Sequence, residues 1–167
     1  MRTEIVNQPT LRVAAVRHIG PYDLIASAFM RLDEFVADAE LGEIESVLVG
    51  IYHHDPNTVD EDELRSDAGI TLPAGVPIPA GLTEVILPAG RYLCGRHVGP
   101  YSGLQKAWAA MVERITSGEL RRGAGPGYEL YPNTPMTAKP EELITDIHIP
   151  VVTPSGPDPD SGRGAHR

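Results

Sequence analysis

Two β-rich segments, Thr3 to Gln8 and Leu11 to His18, open the chain and are broken only by Pro9-Thr10. Apolar residues then change period: Leu24, Ile25, Ala28, Phe29, Leu32 and Val36 recur at the spacing of one helix face. Short β-branched or aromatic runs follow at Val47 to Tyr52 and Ala68 to Leu72. The pattern predicts strand, strand, helix, strand, strand, with the first two strands forming a hairpin.

The second half of the chain shows the same order. Thr83 to Leu87 and Arg91 to His97 flank Pro88-Ala89-Gly90. Leu104, Ala107, Trp108, Met111, Val112 and Ile115 form a second amphipathic stripe, and Tyr128 to Tyr131 and Ile144 to Val152 read as strands. The residues themselves repeat: Arg17-His18-Ile19-Gly20-Pro21-Tyr22 is answered 79 positions later by Arg96-His97-Val98-Gly99-Pro100-Tyr101. Without a gap, that offset gives 19 identities over the 67 positions from Val6 to Leu72, where unrelated segments would give about four. The fold class expected is α+β: a duplicated strand-helix-strand-strand module with pseudo-twofold symmetry. Its antiparallel sheet carries two helices on one face, with a groove between them. The repeats span about 3–75 and 82–152 of a single domain, joined by Val76 to Gly81. Residues 153–167 lack apolar side chains to bury and are expected to form a disordered tail.

Charge narrows the partners. Acidic residues number 23 against 14 basic, a net charge of −9, which disfavours direct binding to nucleic acid. The single cysteine, Cys94, excludes an internal disulfide and any multi-cysteine zinc site. No apolar run is long enough to cross a membrane and the N-terminus has no signal-peptide core, so a cytoplasmic protein without membrane contact is expected. No sequence motif calls for a cofactor. His53-His54-Asp55 is a poor metal cluster because adjacent strand side chains point to opposite faces. Gly123 to Gly127 lacks the Lys-Ser/Thr of a phosphate loop.

The doubled Arg-His-x-Gly-Pro-Tyr motif, Gly50-Ile51-Tyr52-His53-His54-Asp55-Pro56 and Tyr128-Glu129-Leu130-Tyr131 resemble the GyrI-like small-molecule-binding family, as does the segment Glu141 to Val151. The resemblance runs from Leu11 to Val152. It implies a binder of bulky, often cationic amphipathic molecules, with a groove carboxylate that falls at Glu129 by motif position. That family includes gyrase-inhibitory proteins and the effector-binding domains of AraC-type and MerR-type regulators.

Glu129 also stands out without the family, because the position 79 residues earlier is Gly50 and one copy therefore offers a carboxylate where the other has no side chain. Glu129 and Tyr131 share a strand face. An enclosed carboxylate there would await a cation; the alternative is an ordinary strand Glu, solvated or tied to Arg91 or Arg96. Phe29 and Trp108 are equivalent helix positions that serve either the core or aromatic walls, with the core favoured for Phe29. Tyr52, Tyr131 and Tyr128 are weaker wall candidates, whereas Tyr22 and Tyr101 are expected to pack their turns. The ligand-binding set is thus Glu129, Trp108, Tyr131, Phe29 and Tyr52, with no catalytic residue and no metal ligand assigned.

Three functions compete. The first is binding of an amphipathic, cationic small molecule by a protein acting as a monomer, since the duplication supplies what a dimer of half-length chains would. The second is contact with DNA gyrase through the acidic stretch Asp55, Asp60, Glu61, Asp62, Glu63 and Asp67. The third, implied by the resemblance because some GyrI-like relatives are hydrolases, is opening of cyclopropane-containing alkylating natural products, with Glu129 orienting a water beside Tyr131.

Overall fold

A computed structural model describes residues 1–118 and 120–152; the expected tail, 153–167, lies outside the described residues. The strands are β1 (Thr3–Gln8), β2 (Leu11–Ile19), β3 (Leu48–Tyr52), β4 (Arg65–Thr71), β5 (Thr83–Leu87), β6 (Gly90–Val98), β7 (Arg121–Arg122), β8 (Gly127–Tyr131) and β9 (Ile144–Val152). The helices are α1 (Ala26–Asp38) and α2 (Leu104–Thr116). One curled antiparallel sheet runs β1-β6-β9-β8-β3-β4-β2-β5, with β7 added against β9. Exchanging equivalent strands of the two repeats reverses this order and leaves it otherwise unchanged, so the halves are related by a twofold axis between β3 and β8.

The expected opening hairpins do not form. β1 pairs with β6 of the other repeat, and β5 pairs with β2. The connections explain this: a tight hairpin needs a primed turn with φ > 0, which Pro9 cannot supply. The chain therefore crosses over at Pro9-Thr10 and at Pro88-Ala89, and neither half-sheet is complete without a strand from the other repeat.

The doubled motif builds the sheet-to-helix corner twice. Arg17 donates to Asp67 at 2.6 Å and Arg96 donates to the equivalent Asp146 at 2.8 Å. His18 and His97 contact the carbonyls of Pro21 and Pro100 at 2.9 and 3.0 Å. Gly20 and Gly99 take φ of +127° and +133°, which disfavours any side chain there. Each adjoining helix starts after a single 3-10 turn, Tyr22–Leu24 or Tyr101–Gly103.

Both helices lie on one face of the sheet but have separate cores. Leu32 of α1 packs with Ala14, Val16, Ala68 and Ile70, and the equivalent Met111 of α2 packs with Leu93, Ile147 and Ile149. Leu32 and Met111 are both completely buried, each stabilising the fold by about 1.5–3 kcal/mol. The linker is also part of the structure: Val76, Ile78 and Leu82 pack on the α1 core, while Arg12 donates to the Pro73 and Val76 carbonyls. The opposite sheet face has a third core, including Val13, Val49, Ile51, Leu87, Tyr92 and Tyr128. The space above β3 and β8, between the two helix cores, is where the expected groove falls, and aromatic side chains of both repeats occupy it.

Candidate functional site

Gly50 and Glu129 are directly paired across β3 and β8. They are also equivalent at the 79-residue offset, so the twofold axis passes through this rung. A symmetric pair of side chains here would collide on the axis. The sequence instead places one carboxylate there and leaves its partner position without a side chain.

Strand alternation brings Tyr52 and Tyr131 to the same face, one on each side of the axis. Their hydroxyls are 3.4 Å apart and lie over Gly50, where an added Cβ would be 2.6 Å from the Tyr131 oxygen and 3.0 Å from that of Tyr52. Gly127 makes the equivalent room beside α2, since a Cβ there would lie 2.8 Å from the Trp108 ring. These two glycines let rings close over the carboxylate.

The walls repeat the symmetry. Tyr52 meets Trp108 edge-on with centroids 5.6 Å apart, and the equivalent pair, Tyr131 and Phe29, lies at 5.8 Å. Tyr22 packs on Tyr52 at 5.0 Å, and Tyr101 packs on Tyr131 at 5.9 Å. Six of the nine aromatic residues of the chain therefore surround one carboxylate. All five sequence-derived site residues come together here. Phe29 both packs on the α1 core and faces the groove.

Two expectations are corrected. Tyr22 and Tyr101 do not simply fill their turns; the 3-10 turns after Gly-Pro deliver them to the rim of the cage. Their place in a motif repeated beside every helix start is the sequence signal for this role. Tyr128 is not a wall residue, because alternation turns it to the opposite face, where it stacks on His148 at 4.9 Å.

The cage is symmetric in residues but not in restraint. Tyr22 donates to the His54 carbonyl at 2.7 Å and accepts from the His54 N–H at 2.9 Å. Tyr101 is 38% exposed and has no hydrogen bond among the described residues. At the equivalent loop position, Asn133 bonds Glu142 and Ile144 instead. Tyr101 is therefore held by ring packing alone. His53, the other half of the His-His pair, contacts Asp67 at 2.5 Å on the far face.

Glu129 is 2% exposed. Burial raises its pKa to about 7, although Tyr52, Trp108 and Tyr131 direct hydrogen-bond donors at the carboxylate and partly offset that rise. Its Oε2 has no hydrogen-bond partner among the described residues. Of the two arginines expected as rivals, Arg91 and Arg96, Arg96 is engaged elsewhere, holding Asp146. Burial and the neighbouring carboxylate push the Tyr52 and Tyr131 hydroxyls well above the ordinary phenol range, so both stay protonated near neutral pH. The result is an acidic centre in an aromatic enclosure, an arrangement suited to a desolvated organic cation through charge and cation–π attraction.

Comparison with known proteins agrees with this architecture. A family model described as the GyrI-like small molecule binding domain matches residues 1–152. A protein of Dickeya dadantii named DNA gyrase inhibitor 2 is 26% identical over 127 residues, covering 74% of this chain and 80% of that protein. The crystal structure of the EcmrR C-terminal domain superposes with a TM-score of 0.74 at 17% identity, covering 91% of this chain and 98% of that one. SAV2435, described bound to tetraphenylphosphonium, gives a TM-score of 0.67 at 16% identity with both chains fully covered. Among the described residues, no helix is long and apolar enough to cross a membrane.

Proposed function

The chain belongs to the GyrI-like small molecule binding domain family, and from that premise we propose that it binds bulky amphipathic cations in the chamber between its helices, with Glu129 as counter-charge. Trp108, Tyr52 and Tyr22 form one wall; Phe29, Tyr131 and Tyr101 form the other. The observation that carries this reading is the buried, half-unsatisfied Glu129 on the twofold axis inside a ring of aromatic side chains. SAV2435 supports it, because tetraphenylphosphonium is a lipophilic cation and the two folds agree. The composition and the lone cysteine favour a cytoplasmic setting.

Displacement of a fluorescent lipophilic cation tests this reading. At pH 8, Glu129→Gln is expected to weaken the cation at least about tenfold while changing an isosteric neutral ligand little. Equal affinities of the two proteins for the cation would remove Glu129 from the site.

The name of the Dickeya relative favours a second reading, inhibition of DNA gyrase by protein contact. Of the acidic stretch, Asp67 is buried against Arg17 and His53 and so leaves the surface. Asp55 and Asp60 are exposed, and Glu61, Asp62 and Glu63 form an exposed 3-10 turn; the four residues from Asp60 to Glu63 offer a basic partner an acidic surface. A supercoiling assay with pure protein in large molar excess is expected to show inhibition that weakens when these four residues are neutralised together. Unchanged supercoiling at that excess would discard this reading and leave the binding reading intact. Hydrolysis of a cyclopropane-bearing alkylator is the enzymatic alternative, recognised by ring-opened product that requires Glu129.

A further inference from the structure

An aromatic enclosure alone favours quaternary cations, which shed water cheaply and are held by ring faces. The floor of this chamber is not aromatic, and it has hydrogen-bonding capacity left over. Among the described residues, Glu129 Oε2 is buried without a partner. Ser66 Oγ and Thr145 Oγ1, equivalent at the 79-residue offset, are likewise buried and unpartnered. Both residues are 0% exposed. Ser66 pairs with Tyr52 across β3 and β4, and the rung after Leu130–Asp146 sets Thr145 beside Tyr131. Alternation turns both hydroxyls to the helix face, which is also the face of Glu129. One hydroxyl thus lies beside Tyr52 and the other beside Tyr131, on the same sheet face as the carboxylate.

Leaving a buried acceptor unmade is costly, and most of all on a carboxylate. A quaternary ammonium or phosphonium centre can neutralise Glu129 but cannot donate to it. An ammonium or amidinium N–H can do both, and a hydrogen bond to a charged group is among the strongest available. Among the described residues, the side chains that bear on the Glu129 carboxyl are Tyr52, Trp108 and Tyr131, none of them cationic, which leaves Oε2 open to a charged donor carried by the ligand.

We propose that the site selects cations carrying at least one N–H, protonated amines or amidines, over permanent quaternary cations of the same shape. The N–H is directed at Glu129 Oε2, and the apolar body lies toward the less restrained wall of Phe29 and Tyr101. This inference rests on the binding reading above and specifies its ligand class.

The test is a matched pair: 3,3-diphenylpropyl-N,N-dimethylamine, protonated at pH 8, and its N-trimethylammonium counterpart, each titrated by calorimetry into the intact protein. The amine is expected to bind at least about tenfold tighter, which corresponds to about 1.4 kcal/mol. That ratio should fall to near one in Glu129→Gln. Equal binding in the wild type, or tighter binding of the trimethylammonium compound, with both weakened in the variant, would overturn the inference and leave the binding reading standing. Failure of the wild type to bind either compound would overturn both.

Discussion

At pH 8, the Glu129→Gln protein is expected to unfold at a higher temperature than the wild type, by about 5–10 °C for a domain of this size. The reason lies in the proton balance of one buried carboxyl. Glu129 titrates at about 7 in the folded protein against an ordinary value of 4.5. Between those pH values the folded state keeps a proton that the unfolded state releases, so stability falls as pH rises through the window and the loss is complete above 7. At roughly 1.4 kcal/mol per pH unit, the accumulated penalty is about 3 kcal/mol. Gln has nearly the same volume and no charge to bury, so it escapes the penalty. The two proteins should converge below pH 4.5, where wild-type Glu129 is neutral in both states. Thermal unfolding followed by circular dichroism from pH 4 to 9 is the measurement. A variant no more stable at pH 8, or a difference independent of pH, would show that Glu129 is not a desolvated acid.

This cost bears on why such a residue is present at all. A buried, unpaired carboxylate stores an interaction that a ligand can complete, and affinity gained there is stability given up in the empty state. The aromatic rings reduce the cost without cancelling it. Tyr52, Trp108 and Tyr131 supply donors but no positive charge. On the proposed reading a cationic ligand completes the cage, and the unequal tethering of Tyr22 and Tyr101 gives it one firm wall and one that can yield to a bulky body.

Much of this arrangement is legible in the order of residues along the chain. The 79-residue offset aligns every major element of one half with its counterpart, and it alone makes Glu129 the counterpart of Gly50. What the offset does not carry is which strands pair. Local reading assigns β1 to β2 because they adjoin in sequence, whereas β1 and β5 exchange partners across the repeats; Pro9 is the available hint, since it forbids the primed turn. The short strand β7 (Arg121–Arg122) falls in a glycine-rich stretch with no hydrophobic period, so nothing in the pattern announces it. Period-two reasoning correctly groups Glu129 with Tyr131, but only tertiary packing shows that Tyr22 and Tyr101, each distant in sequence from its strand neighbour, complete the ring.

Binding of a permanent cation is expected to depend on pH in the opposite sense to stability. A permanent cation has no titration of its own, so any pH dependence belongs to the protein. The neutral carboxyl attracts such a ligand weakly, and with Glu129 titrating at about 7 only about 1% of sites are charged at pH 5. Apparent affinity should therefore be about a hundredfold weaker at pH 5 than at pH 8, with binding near pH 6 releasing close to one proton per ligand. Other groups at the site stay silent in this range: the Tyr52, Tyr131 and Tyr101 phenols are all raised, and Trp108 and Phe29 do not titrate. Calorimetry in two buffers of different ionisation enthalpy measures the proton count directly, and Glu129→Gln should bind weakly but equally at both pH values. A wild-type affinity that is flat from pH 5 to 8 would mean that the carboxylate is already ionised without its ligand, and that the aromatic cage does not dehydrate it.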